Sequence, residues 1–387
     1  MEANEVLSSF KELYGDEGTI RLFHSPGRVN LIGEHIDYNG GYVFPCALEF
    51  GTYGAVRARK DSKINLASTN FDLKVDVDLM DLSFKKEHDW ANYPKGVIKI
   101  MQEAGYNLSG MDILISGNIP NGAGLSSSAS LELLIGVMIN ELFNEGNIDR
   151  IELVKLGQKA ENQYVGVNCG IMDQFAIGMG RKNKAVLLDC GTLNYEYADA
   201  DLKEYSLVIM NTNKRRSLNE SKYNERRAEC DEALKILNKY KTINVLCDLT
   251  PEEFEIIKNH IASEKVKNRA EHAVYENQRV KDAVEALNKG DLISFGKLLT
   301  ASHNSLRNLY EVTGDALDII VEEALNSESC IGARMTGAGF GGCAIALVKK
   351  EKVEEFIENI GRNYYQRMGI AADFYLSGIG EGTCEVK

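Results

Sequence analysis

Three short segments of this chain concentrate residue types that can do chemistry. The first is Gly27-Arg28-Val29-Asn30-Leu31-Ile32-Gly33-Glu34-His35-Ile36-Asp37-Tyr38-Asn39-Gly40-Gly41. Glu34 and Asp37 are acceptor-only when ionised, so each carboxylate can take two hydroxyl hydrogen bonds, which suits a ring carrying adjacent hydroxyls. Asn39-Gly40-Gly41 alone would equally suit a surface turn. The second segment is Pro120-Asn121-Gly122-Ala123-Gly124-Leu125-Ser126-Ser127-Ser128-Ala129-Ser130. Gly122 and Gly124 let backbone approach a ligand closely. The helix expected to follow offers free N–H groups and a positive dipole end to a phosphate. The hydroxyls of Ser126, Ser127 and Ser128 add donors, one of which can ligate Mg2+, although a helix N-cap also favours Ser. No Lys-Ser/Thr follows the glycines, so this is not a Walker-type loop.

The third segment is Arg334-Met335-Thr336-Gly337-Ala338-Gly339-Phe340-Gly341-Gly342-Cys343. Gly337, Gly339 and Gly342 satisfy G-x-G-x-x-G, but a dinucleotide-binding turn needs a helix next. Cys343–Val348 reads as a strand instead, so a glycine-rich hairpin closing over a ligand fits better.

The elements that must position these segments follow from periodicity. Short, β-branched or alternating runs predict strands over Thr19–His24, Tyr42–Leu48, Gly54–Arg59, Lys63–Ala67, Leu73–Leu79, Met111–Ser116, Ala185–Asp189 and Leu207–Met210. Leu131, Leu134, Ile135, Met138, Ile139 and Leu142 recur at helical spacing behind the second segment. Helices are also predicted over Trp90–Ala104 and Arg150–Val165. The second half reads as mostly helical, with a strand–glycine loop–strand at Ile331–Val348, a helix at Val353–Arg367 and a strand near Asp373–Ser377. Mixed elements in both halves indicate an α+β architecture. At 387 residues two domains are expected, divided as 1–195 and 196–387.

Bulk properties exclude several classes. The net charge is −13, which argues against a nucleic-acid partner. No run of 18 apolar residues occurs, so no membrane span is expected, and no signal peptide is evident in the polar N-terminus. The eight Cys form no C-x-x-C pair, which reads as reduced thiols in a cytoplasmic protein.

Taken together and in order, the three segments resemble the signature motifs of the GHMP kinases, and the first is similar almost residue for residue to that of the galactose-phosphorylating branch. Further stretches match: Ala67-Ser68-Thr69-Asn70, Trp90-Ala91-Asn92-Tyr93, Ala160-Glu161-Asn162, Cys169-Gly170-Ile171-Met172-Asp173-Gln174-Phe175, and Asn211-Thr212-Asn213 leading to Ser221-Lys222-Tyr223. The resemblance implies a ribosomal-protein-S5-like first domain and a ferredoxin-like second. It implies ATP and Mg2+ as cofactors and galactose as substrate, phosphorylated at its C1 hydroxyl, in a protein that by family habit would be a monomer. Under it, Asp173 would be the base and Arg28 the charge stabiliser. Glu34, His35, Ile36, Asp37, Gly170 and Tyr223 would hold the sugar. Gly122, Ala123, Gly124, Leu125, Ser126, Ser127 and Ser128 would wrap the phosphates, with Ser68 and Trp90 near the nucleoside. Ser128 and Glu161 would hold Mg2+. Without the resemblance, Glu161 suits a solvated helix face, Asp173 a helix N-cap, Trp90 a core and Tyr223 a helix face. An N-acetylgalactosamine kinase or a non-catalytic galactose sensor would share these motifs.

Overall fold

The apolar runs of the first half pair into a six-stranded sheet. The computed structural model describes residues 3–120, 124–214 and 219–386. In it the strand order is Cys384–Glu385, Ile20–Asn30, Pro45–Ala58, Met111–Gly117, Lys63–Ser68 and Val75–Asp78. Among the described residues, only Lys63–Ser68 and Met111–Gly117 run parallel. Parallel neighbours need a long crossover, and the connection here includes the helix Asn92–Glu103. A small sheet of Tyr42–Val43, Lys184–Asp189 and Tyr195–Asp199 lies alongside.

The helix Ser127–Phe143 packs on the strands Ile20–Asn30 and Pro45–Ala58. Leu133, Leu134, Ile135, Val137, Met138 and Ile139 are all buried, because the helices Asn92–Glu103, Arg150–Ala160 and Met172–Met179 enclose its other sides. A helix apolar all round belongs in a core, and that burial fixes its N-terminal end, where the serines lie.

The second half builds an antiparallel four-stranded sheet in the order Cys330–Met335, Cys343–Lys349, Tyr205–Asn211 and Asp373–Leu376. Helices Leu292–Ser305, Asp315–Leu325 and Val353–Met368 pack against it. The expected α+β architecture is observed. Among the described residues, no helix is long and apolar enough to cross a membrane.

Several local expectations need correction. Tyr42–Leu48 and Gly54–Arg59 are not two strands: Tyr42–Val43 is separate, and Pro45–Ala58 runs unbroken. Gly51, inside that strand, is a close-approach site, since a Cβ there would lie 2.1 Å from the Ser25 carbonyl oxygen. The helix expected from Trp90 begins at Asn92, because Asp89 has φ of 41° and Trp90 sits in a preceding 3-10 turn. The amphipathic helix Ala3–Tyr14 was not anticipated; its Val6 and Phe10 pack with Ala55, Ala67 and Leu114.

Candidate active site

The first segment is aimed by an irregularity in its strand. The pairing of Ile20–Asn30 with Pro45–Ala58 shifts register between Pro26 and Arg28, and such a bulge re-aims the side chains beside it. Gly27 occupies it, and a Cβ there would lie 3.0 Å from the Leu125 carbonyl oxygen. The Arg28 N–H donates to that same oxygen at 3.1 Å, so the first two segments are tied backbone to backbone.

Arg28 is buried. Its Nε donates to Asp173 Oδ1 at 2.9 Å, its Nη2 to Asp173 Oδ2 at 2.8 Å and its Nη1 to the Gly124 carbonyl at 2.8 Å. The Ser126 hydroxyl also donates to Asp173 Oδ2. A bidentate guanidinium fixes the plane as well as the position of a carboxylate. Asp173 lies in the first turn of Met172–Met179, but the N-cap there is Ile171 and makes no side-chain cap bond. The cap alternative therefore fails: the Asp173 side chain, about one-third exposed, serves Arg28 and the cavity.

Glu34, His35 and the third segment close one wall. Glu34 is buried; its Oε2 accepts from Asn30 Nδ2 at 2.5 Å and its Oε1 from the Gly337 N–H at 2.6 Å. Burial pushes its carboxyl above the usual range, opposed by the guanidiniums of Arg334 and Arg28. The φ of 83° at Gly337 gives the hairpin turn the geometry that presents this N–H. His35 Nε2 contacts the Ala338 carbonyl at 3.1 Å and Nδ1 the Tyr38 hydroxyl at 2.8 Å. A carbonyl only accepts, so Nε2 carries the hydrogen and Nδ1 accepts from Tyr38. Burial, reinforced by His272, holds this imidazole down to about 3, so it stays neutral. Both ring nitrogens are used within the protein, and His35 joins the first segment to the third.

Asp37 stands over Gly170. A Cβ on Gly170 would fall 1.8 Å from Asp37 Oδ2, so only glycine fits beneath that carboxylate. Burial, followed by the nearby Asp173 charge, pushes the Asp37 carboxyl up to about 7. The Tyr223 ring lies 5.6 Å from His35 and 5.5 Å from Tyr38 between ring centres.

Glu161 begins a π-helical turn, Glu161–Val165, that continues the helix Arg150–Ala160; such turns recur at functional sites. It is buried, not solvated. Its Oε2 accepts from Gln174 Nε2 at 2.7 Å and from the Cys169 thiol at 3.4 Å. Burial and then the Asp173 charge disfavour its ionised form, while a hydrogen bond with Ser128 favours it. A hydroxyl and a carboxylate brought together beside a negative neighbour form an all-oxygen donor set that suits a hard divalent cation. The residues expected to hold Mg2+ therefore fit it.

These groups line one cavity of about 300 Å3. Arg28, Glu34, His35, Asp37, Gly170, Asp173 and Tyr223 line it together with Gly124, Ser126, Ser127, Ser128 and Glu161. Leu125 and Ile36 are buried in the core beside it. Ile36 contributes its carbonyl, which accepts from Asn39 and Gly41 to form the turn that carries Asp37. Gly122 and Ala123 lie outside the described residues. Ser68 and Trp90 do not line the cavity; Trp90 is largely buried, stacks on Phe71 with ring centres 6.3 Å apart and donates to the Leu73 carbonyl. Tyr93, Val167, Cys169, Met172 and Ala338, to which no role was assigned from sequence, also line the cavity. All but Val167 sit inside the motif stretches, which was the available signal; Val167 falls between two of them.

The chain is similar to known proteins along its length. Residues 8–58 match the galactokinase galactose-binding signature, residues 92–181 the GHMP kinases N terminal domain and residues 283–366 the GHMP kinases C terminal domain. The chain is 63% identical over 386 residues to a galactokinase of Clostridium tetani, covering 100% of this chain and 98% of that one. It is 52% identical to a galactokinase of Fusobacterium nucleatum, covering 99% of each. The crystal structure of Lactococcus lactis galactokinase complexed with galactose superposes with a TM-score of 0.97 at 50% identity, covering 99% of each chain.

Proposed function

The chain belongs to the galactokinase family of the GHMP kinases, and from that premise we propose that it transfers the γ-phosphoryl group of ATP to the C1 hydroxyl of galactose. The products are galactose 1-phosphate and ADP, the entry to galactose catabolism. The observation that carries this reading is the Arg28–Asp173 pair, held bidentate at the floor of a cavity whose walls carry the carboxylates of Glu34 and Asp37 and the N-terminal end of the helix Ser127–Phe143.

The roles follow from position and charge. Asp37 and Glu34 accept sugar hydroxyls, with Tyr223 lining the same cavity and Gly170 leaving room for Asp37. Asp173 orients the attacking hydroxyl and takes its proton. A sugar hydroxyl is a far weaker acid than a carboxylic acid, so the proton moves late, once bonding to phosphorus has begun. Arg28 holds Asp173 in place and puts fixed positive charge beside the transferring group; removal of one such preorganised donor typically costs about 10²–10³ in rate. The free N–H groups at the start of the helix Ser127–Phe143, and the hydroxyl of Ser127, hold the phosphates, while the Ser126 hydroxyl donates to Asp173. Ser128 and Glu161 would hold Mg2+, which supplies charge neutralisation on the triphosphate. Ser68 and Trp90 mark the nucleoside side. The protein acts in the cytoplasm as a monomer without membrane or nucleic-acid partners, and its halves divide near residue 195, the last strand returning to the first sheet.

The test is ADP release with ATP and Mg2+ across galactose, N-acetylgalactosamine, glucose, arabinose and mevalonate. Strong turnover on galactose, with a 1-phosphate product, is expected. Greater turnover on N-acetylgalactosamine would reassign the substrate, and galactose binding without ADP release on any acceptor would make the protein a sensor.

A further inference from the structure

Behind Glu161 lies a buried arrangement that the proposed reaction does not use. Gln174, on the helix Met172–Met179, is fully buried. Its Nε2 donates one hydrogen to Glu161 Oε2 at 2.7 Å and the other to Glu132 Oε2 at 2.9 Å. Glu132, on the helix Ser127–Phe143, is likewise buried. One amide thus bridges two carboxyl groups from two further elements. Glu132 Oε1 and Gln174 Oε1 have no hydrogen-bond partner. Buried polar groups are normally paired, and an apolar pair would fill this volume without that cost. The amide's two donors are therefore spent on holding carboxylates.

We propose that Gln174 is the positioning residue for the metal-binding carboxylate: it pulls Glu161 Oε2 back toward the Glu132 wall, so that the other carboxylate oxygen is left to face Ser128 and the cavity. Three features place the bridge in that role. It grips one oxygen of Glu161, together with the Cys169 thiol. Gln174 follows Asp173 directly, so one short helix sets both the proton acceptor and the metal ligand. Glu132 lies one helical turn beyond Ser128 on the same helix, so the wall and the hydroxyl ligand move as a unit. Groups that orient a metal ligand from behind typically change metal affinity 10–100-fold when removed.

The proposal rests on Ser128 and Glu161 holding the cation, and its test is separable from that reading. Free Mn2+ is measured by electron paramagnetic resonance during titration into the protein with ADP, and galactose affinity by calorimetry without metal or nucleotide. For Gln174→Met, Mn2+ affinity is expected to fall about 10–100-fold, with galactose affinity unchanged. Because that variant orphans two carboxyls, the double variant Gln174→Met with Glu132→Leu supplies a background without the buried acid, and the same loss of Mn2+ affinity is expected there. Wild-type Mn2+ affinity in either variant, or parallel loss of Mn2+ and galactose affinity in both, would overturn the proposal. Failure of the unaltered protein with ADP to bind Mn2+ at all would instead overturn the assignment of Ser128 and Glu161.

Discussion

At the scale of single residues, the site is a set of groups made available by what is missing next to them. Gly170 is the clearest case, because Asp37 occupies the volume a side chain would need. In Gly170→Ala the carboxylate must turn away, and loss of a hydrogen bond to a charged group is worth about 1.5–3 kcal/mol. Galactose affinity by calorimetry is therefore expected to fall about tenfold or more, while MgADP binding holds. Asp37 also gives a pH signature. Its carboxyl sits at about 7 in the folded protein against an ordinary 3.8, so the folded state binds the proton more tightly than the unfolded chain. The stability tied to this group is full below about pH 4, declines as pH rises, and is lost by about pH 7. In Asp37→Asn, denaturant unfolding of the ligand-free protein is expected to show a flatter dependence between pH 5 and 7. An unchanged slope would remove Asp37 as its source. Most of these residues were legible as motif positions. Their inward partners were not: no spacing rule places Ala338 opposite His35, or Glu132 behind Gln174, because those pairings arise only when distant elements pack.

At the scale of elements, the sequence was most readable where one period runs long, as in the helix behind the serines. It was least readable where glycine serves packing. Gly51 lies where the paired Ser25–Pro26 backbone comes too close for a side chain, and the pair Gly296 and Gly332 allows the same close approach between a helix and a strand. A Cβ on Gly332 would lie 2.1 Å from the Gly296 carbonyl oxygen, and one on Gly296 would lie 2.2 Å from that of Ile331. This contact sets the strand Cys330–Met335, which delivers Gly337 and Ala338 to the cavity. Overpacking of this kind costs about 1–3 kcal/mol. Gly332→Ala is expected to lose at least that much in denaturant titration, together with weaker galactose binding, since the hairpin donor to Glu34 moves with the strand. The final strand had no sequence signal, being two residues long.

At the scale of the whole molecule, the catalytic surface belongs to neither half alone. Glu34 needs the Gly337 N–H, His35 bonds Ala338, and Arg334 reaches the carbonyls of Asn30 and Leu31. The chain end then returns to the first sheet. The Thr383 N–H donates to the Ile177 carbonyl, its hydroxyl pairs with Ser25, Arg150 donates to its carbonyl, and Arg21 grips Glu385 with two bonds of 2.6 Å. Truncation before Thr383 removes these bonds, each worth about 1 kcal/mol net. A clear drop in melting temperature is expected, and an unchanged one would show that the returning strand contributes nothing to stability.

The central claim is that Asp173, clamped by Arg28, receives the proton of the hydroxyl being phosphorylated. The most direct measurement is turnover of Asp173→Asn alongside galactose affinity in the same preparation. The account predicts affinity within a few-fold of the unaltered protein and turnover reduced by about 10²–10⁴. Near-normal turnover with intact galactose binding would contradict it and leave Asp173 as an orienting group only.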